Sequence, residues 1–494
     1  MTDKATIHRL STGVPGLDDV LGGGLPEFSF NILSGAPGCG KTTLAHQMMF
    51  SLATPERPAL YFNVLGEPPL KMLRYQQQFD FFDTEKVGHA VRFINLAEEG
   101  ASSDLSKVLD RIVAVVEETG PAFVFIDSFR SVSLAGQGSS NPYGTLQHFV
   151  QTLGMLMTSW QATTFLLGEY FSEREPNPVF TVADGLIWLR QEVQRHSMVR
   201  KIEITKMRGQ PTVPGLHTFR IGSAGITVFP PPQIAMVAVP SRQVADDTRL
   251  GMGVPGLDAM MGGGLPRGYS LLVAGPSGSG KTILASAFLA EGARNGETGI
   301  VAAFEQRPRL TRARIVAELI EVGSVSLLQP QALDLSVDEF AIQLINEIRQ
   351  RNATRVVIDS LSGFELGVAP AFRTDFRESV ARMVTALAST GATVLMTSEL
   401  EDRYDDLRFS PYGTAFLTDA IIVQRYIEVD SRLLRMLAVV KLRASAHSNE
   451  LRVFDIDGGG IRIGDMLVDQ EGLLGGRPTR RRRVGTGDHG VGNA

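Results

Sequence analysis

One cysteine, Cys39, stands among 494 residues. That scarcity excludes an internal disulfide or a cysteine metal cluster and agrees with a reducing compartment. No apolar run reaches the roughly 18 residues of a membrane-spanning helix. The start, Met1-Thr2-Asp3-Lys4, lacks the apolar core of a signal peptide, so the expected compartment is the cytoplasm. Charge of one sign is also scarce: 48 Lys and Arg against 53 Asp and Glu leave a formal −5. This argues against a surface that coats nucleic acid. Only Arg480-Arg481-Arg482-Arg483 forms a dense basic run.

What is present is repetition. Gly35-Ala36-Pro37-Gly38-Cys39-Gly40-Lys41-Thr42 and Gly275-Pro276-Ser277-Gly278-Ser279-Gly280-Lys281-Thr282 both read G-x-x-x-x-G-K-T. Each follows an apolar strand-like run (Phe28 to Ser34; Tyr269 to Ala274) and opens a helix-like one, the setting of a phosphate-binding loop. Gly13-Val14-Pro15-Gly16-Leu17-Asp18 and the Gly22 to Pro26 segment recur at the same offset of 240, with 16 identities in the 30 positions from Gly13 to Thr42. The chain therefore reads as a tandem duplication of one nucleotide-binding domain.

With 43% hydrophobic and 20% charged residues, the chain can build two cores. The expected first domain is residues 1–229. Pro230-Pro231-Pro232 opens a linker over 230–247, the second domain spans 248–470, and 471–494 form an Arg-rich mobile tail. Short continuous apolar runs alternate with amphipathic stretches, for example Arg355 to Ile358 and then Phe376 to Leu387. That alternation predicts mostly parallel sheets flanked by helices.

In each loop, Gly35, Gly38 and Gly40, and likewise Gly275, Gly278 and Gly280, let backbone N–H groups close around phosphates. Lys41 and Lys281 reach the terminal phosphates. Thr42 and Thr282 are positioned to ligate Mg2+, and Thr43 and Ile283, next in the helix start, belong to the ATP-binding set. A carboxylate near the metal comes from Phe123-Val124-Phe125-Ile126-Asp127 and Arg355-Val356-Val357-Ile358-Asp359, with Asp127 and Asp359 in the metal-binding role. A glutamate able to orient attacking water is offered by Glu305 in Phe304-Glu305-Gln306-Arg307-Pro308 and by Glu67 in Leu65-Gly66-Glu67-Pro68-Pro69. Alignment on the shared proline sets Gly66 against Glu305; a surface-turn glutamate is the alternative reading. Late in each half comes a cationic motif, Lys206-Met207-Arg208 and Lys441-Leu442-Arg443, at a common offset of 235. Alternate residues of a strand share a face, so each pair can meet one anion.

Together these motifs resemble the KaiC family of RecA-superfamily ATPases over residues 7 to 465. Glu169 and Glu399 also match a family glutamate. The resemblance implies two tandem RecA-like P-loop NTPase domains, ATP and Mg2+ as ligands, and a homohexamer with ATP between subunits. It implies that Lys206 and Arg208, and Lys441, Arg443 and His447, reach a neighbour's nucleotide. A KaiB-like or histidine-kinase signalling partner follows from the same resemblance, while composition and charge argue against membrane and nucleic-acid partners. The family's autokinase members carry adjacent Ser and Thr before a Thr-Asp pair; here Ala415 and Phe416 take those positions, leaving Ser410, Thr414 or Thr418 as substitute acceptors. Glu305 would be the base for such a transfer. Two further classes stay open at this point, a DNA-dependent recombinase or helicase sharing the RecA core and a non-catalytic scaffold that only holds ATP.

Overall fold

The computed structural model describes residues 7–64, 69–101, 105–128, 142–170, 179–194, 197–232, 248–304, 314–330, 335–400, 417–466, 470–471 and 479–480. The chain divides into two compact units between Pro231 and Pro232.

The first unit is built on nine strands: β1 (Phe30–Gly35), β2 (Ala59–Asn63), β3 (Val91–Asn95), β4 (Phe123–Asp127), β5 (Thr163–Glu169), β6 (Gly185–Gln194), β7 (Ser197–Met207), β8 (His217–Gly222) and β9 (Gly225–Phe229). Their order across the sheet is β9-β8-β7-β6-β1-β5-β4-β2-β3. The strands from β6 to β3 in that order run parallel, whereas β7, β8 and β9 fold back antiparallel beyond β6. The second unit repeats this with β10 (Ser270–Gly275), β11 (Gly299–Ala303), β12 (Val325–Leu328), β13 (Arg355–Asp359), β14 (Thr393–Glu399), β15 (Ala420–Val429), β16 (Arg432–Leu442), β17 (Arg452–Asp457) and β18 (Gly460–Met466). Their order is β18-β17-β16-β15-β10-β14-β13-β11-β12.

The composition of the central strands explains their place. Every residue of β1 and β10 is buried, and a strand apolar on both faces needs cover on both. In the first unit Leu33, Phe125, Leu167 and Leu189 pack with Leu44 and Met48 of α1 (Lys41–Leu52). Their alternate neighbours Ile32, Ile126, Leu166 and Trp188 join Ile112 and Val116 of α2 (Leu105–Thr119) and Leu153 of α3 (Pro142–Ser159) on the other face. The buried positions of α2 (Leu105, Val108, Ile112, Val115, Val116) follow the helical period.

In the second unit α4 (Lys281–Arg294) covers one face, and α5 (Val337–Arg351) with α6 (Phe376–Ser389) covers the other. Helix α5 begins where Ser336 accepts the Glu339 N–H at 3.0 Å and ends at left-handed Asn352, an ordinary pair of caps. The two units are thus the tandem RecA-like α/β domains expected from the sequence. In the tail, Thr479–Arg480 pairs antiparallel with Gln470–Glu471; the basic run from Arg481 onward lies outside the described residues.

Candidate nucleotide site

Each phosphate loop leaves the carboxyl end of the middle strand, β1 or β10, and enters α1 or α4 directly. Ligands of open α/β sheets gather at this end. Gly40 and Gly280, the residues before the two lysines, have φ of 108° and 109°. A Cβ at Gly40 would lie 2.9 Å from Ile221 Cδ1, and one at Gly280 2.6 Å from Ile456 Cδ1. The backbone angle requires glycine there, whereas the isoleucine methyls end flexible side chains that can move aside. Lys41 Nζ donates to the carbonyls of Gly35 and Ala36, both at 2.9 Å, and Lys281 Nζ to those of Gly275 and Pro276 at 2.9 and 2.8 Å. Both ammonium groups are therefore folded back over their own loops. Burial pushes the Cys39 thiol above its ordinary value, the neighbouring Lys41 working against it. Cys39 fits as a small, unreactive loop residue.

The carboxylates arrive from the parallel strand two places away. Thr42 Oγ1 donates to Asp127 Oδ2 at 3.0 Å, and Thr282 Oγ1 to Asp359 Oδ2 at 2.9 Å. Hydroxyl and carboxylate oxygens side by side at a phosphate loop are hard donors suited to Mg2+, so the residues present fit the cation. Burial raises the Asp127 carboxyl above the ordinary aspartate value, opposed by hydrogen bonds from Tyr61 and Thr42 and by the charge of Lys41.

Glu169 and Glu399 end β5 and β14 in register with Gly35 and Gly275, beside the loops. Glu67 and Glu305, with Gly66 and Gln306, lie outside the described residues. What precedes them is placed: Val64 N–H donates to the Asp127 carbonyl at 2.7 Å and Phe304 N–H to the Asp359 carbonyl at 3.2 Å.

The cationic motifs sit elsewhere. Lys206 pairs with Leu186 and Lys441 with Ile421, each next to a one-residue bulge in its strand. Lys206 Nζ donates to the carbonyls of Phe180 and Thr181 at 3.3 and 3.2 Å, and Lys441 Nζ to that of Thr418 at 2.6 Å. Arg208 lies one residue past β7 and bonds Asp184 through its backbone N–H (2.9 Å) and Nη1 (3.1 Å). Arg443 does the same with Asp419, by N–H at 2.9 Å and as an ion pair at 3.7 Å. Desolvation lowers Lys206 and Lys441 from the ordinary lysine value, each helped by the adjacent arginine. Asp184 exchanges hydrogen bonds with the backbone of Phe30, the first residue of β1, and Asp419 with Ser270, the first of β10. Each arginine therefore stands at the opposite end of the middle strand from its own unit's phosphate loop, across about 16 Å of extended chain, and each lysine, level with Ile32 or Leu272, about 10 Å from it.

The leading motif holds this turn in place. Asp18 accepts from Thr12 N–H at 2.9 Å and Thr12 Oγ1 at 2.6 Å. Gln210 Nε2 then ties the turn after Arg208 to the carbonyls of Leu21 (2.6 Å) and Gly24 (2.8 Å). Downstream of Arg443, His447 Nδ1 lies 3.1 Å from the Ser448 carbonyl, and Ser448 N–H bonds the Met260 carbonyl at 2.8 Å. Of the substitute acceptors, Ser410 and Thr414 lie outside the described residues, while Thr418 is fully buried.

Sequence reasoning missed Arg200 and Arg435. The Nε atoms of both are buried and find no hydrogen-bond partner among the described residues. Arg435 stands 5.7 Å over the Tyr426 ring, whose hydroxyl is 3.2 Å from where a Cβ at Gly278 would be. Arg200 acts electrostatically on Cys39. Both flank a loop, and their spacing of 235, shared with the Lys-x-Arg motifs, was the available signal.

Among the described residues no helix is long and apolar enough to cross a membrane. A family model described as "ATPase: KaiC" matches residues 10–233 and 250–467. The chain is 28% identical over 488 residues to the circadian clock oscillator protein KaiC of Picosynechococcus sp., covering 96% of this chain and 93% of that one. It is likewise 28% identical to the circadian clock oscillator protein KaiC 1 of Synechocystis sp. (96% and 92% covered) and 27% identical to the KaiC of Prochlorococcus marinus strain MIT 9313 (96% of each).

Proposed function

The chain belongs to the KaiC family of ATPases, and from that premise we propose that it is a Mg2+-dependent signalling ATPase, a cytoplasmic homohexamer with ATP held between neighbouring chains. The loop glycines and Lys41 or Lys281 grip the phosphates, and Arg200 or Arg435 flanks the nucleotide. Thr42 with Asp127, and Thr282 with Asp359, hold the cation, which when bound neutralises phosphate charge. Glu305 orients the attacking water in the second site and Glu67 is its counterpart in the first.

The observation that carries the reading is the separation of each cationic turn from its own loop. Arg208 sits level with Phe30 through Asp184, and Lys206, paired with Leu186, sits level with Ile32; neither is level with Gly35. They would complete the site of an adjacent chain, and Lys441, Arg443 and His447 would do so in the second domain. A KaiB-like or histidine-kinase partner would read the nucleotide or assembly state. The proposal stops at hydrolysis: Ala415 and Phe416 cannot accept phosphate, and buried Thr418 is no ready substitute.

A mixing experiment tests it. Chains carrying Lys41→Ala and Lys281→Ala keep the cationic turns but lack the loop lysines; chains with Lys206→Ala, Arg208→Ala, Lys441→Ala and Arg443→Ala keep the loops. Each alone should release little ADP, and the mixture should regain a substantial fraction of wild-type turnover. A mixture as inactive as its parents would count against completion in trans.

A further inference from the structure

A hydroxyl buried in an apolar strand is costly unless something accepts its proton. Two such hydroxyls flank the carboxylates. Tyr61 of β2 is fully buried and donates to Asp127 Oδ2 at 2.5 Å. Thr397 of β14 is fully buried and donates to Asp359 Oδ1. The donors come from opposite sides, because β4 lies between β2 and β5 as β13 lies between β11 and β14.

Register explains the two side-chain lengths. Tyr61 pairs with Phe125, two residues short of Asp127, a gap that a phenol spans. Thr397 lies one step past the Met396–Ile358 pair, level with Asp359, where a short side chain suffices. The matching positions are apolar in each case: Val301, paired with Val357, takes the place of Tyr61, and Leu167, one step past the Leu166–Ile126 pair, takes that of Thr397. Tyrosine with leucine in one unit thus replaces valine with threonine in the other, and each carboxylate keeps one strand-borne donor besides its loop threonine.

The exchange also changes which oxygen is engaged. Thr42 and Tyr61 both bond Asp127 Oδ2, and among the described residues none donates to Oδ1. In the second unit Thr282 takes Oδ2 and Thr397 takes Oδ1. We propose that Tyr61 and Thr397 are the positioning residues of the two metal carboxylates, interchangeable in role though they act from opposite neighbouring strands. This rests on the reading of Asp127 and Asp359 as metal carboxylates.

The test uses Mn2+ as the probe, followed by electron paramagnetic resonance with a non-hydrolysable ATP analogue on the full chain. In a Lys281→Ala background, which leaves the first site, Tyr61→Phe should weaken Mn2+ about tenfold, as loss of a hydrogen bond to a metal-site carboxylate does. Adding Leu167→Thr should restore affinity to within about threefold by supplying the donor from the other side. The near-isosteric Thr397→Val in a Lys41→Ala background is the reciprocal case and should weaken Mn2+ similarly. Unchanged Mn2+ affinity in folded Tyr61→Phe and Thr397→Val, or failure of Leu167→Thr to restore it, would overturn the inference. Asp127→Asn is the control: if it too leaves Mn2+ affinity unchanged, the metal-carboxylate reading itself falls.

Discussion

Ser279 Oγ donates to Gln424 Oε1 at 3.0 Å in the second phosphate loop, whereas the first loop has Cys39 against Leu189 at the matching places. Ser279 and Gln424 are both buried. Ser279→Ala should cost about 1–3 kcal/mol by stranding the Gln424 carbonyl. Ser279→Cys with Gln424→Leu, which copies the first loop, should recover most of it. Urea unfolding of the three proteins gives the comparison.

Arg355 is 1% exposed and ties three segments together. It donates to Glu297 at 2.7 Å and to the carbonyls of Gly251 and Phe288 at 2.7 and 2.8 Å. Arg355→Ala should cost about 3–5 kcal/mol, the range for breaking a buried ion pair on one side, and Arg355→Lys, without the guanidinium fork, should recover little. Burial alone would raise Glu297, but hydrogen bonds from Arg355 and Thr354 leave it below the ordinary glutamate value. Its contribution is therefore present above the unfolded value and lost as pH falls through the folded one. Denaturation midpoints across the acid range should show that loss in the wild type and not in Arg355→Ala.

His46 in α1 is fully buried, 4.6 Å from the Tyr61 ring, and burial lowers it from 6.5 to about 4, with Gln76 pulling weakly the other way. The unfolded chain then binds the proton first, so stability falls as pH drops from the unfolded value towards the folded one. By pH 5 the linkage amounts to about 2 kcal/mol. His46→Phe should flatten that slope, measured by unfolding at pH 5 and pH 7; an unaltered slope would place the proton uptake elsewhere.

Gly40→Ala and Gly280→Ala each force a Cβ onto an isoleucine methyl at a left-handed φ. Each should lower nucleotide affinity at its own site at least tenfold while leaving the other unit's site near wild type. Counting bound nucleotide per chain by mass analysis distinguishes this from a general loss of fold.

Much of this was legible in the sequence because it rests on backbone chemistry. Phosphate loops announce themselves through glycine spacing, and Phe123 to Ile126 and Arg355 to Ile358 could only be interior strands ending in a carboxylate. The positioning hydroxyls were not legible. Tyr61 in Ala-Leu-Tyr-Phe-Asn and Thr397 in Val-Leu-Met-Thr-Ser read as ordinary strand residues, since tyrosine and threonine favour strands anyway. Their role emerges only once register fixes which side of the carboxylate strand each occupies. Arg208 was expected within a strand and instead begins the turn after it, a difference of one residue that leaves its side chain beside Asp184.

Under the proposed completion in trans, the placement of loop and cationic turn towards opposite ends of one strand gives every chain a direction, with an acceptor at one end and a donor at the other. Head-to-tail contact between such ends repeats from chain to chain until it closes or keeps growing. Under the proposed arrangement, dilution opens the circle and strands one loop and one turn in each domain for every break. Turnover per chain should then rise with protein concentration and level off once rings are closed, and nucleotide that favours closure should move that threshold to lower concentration.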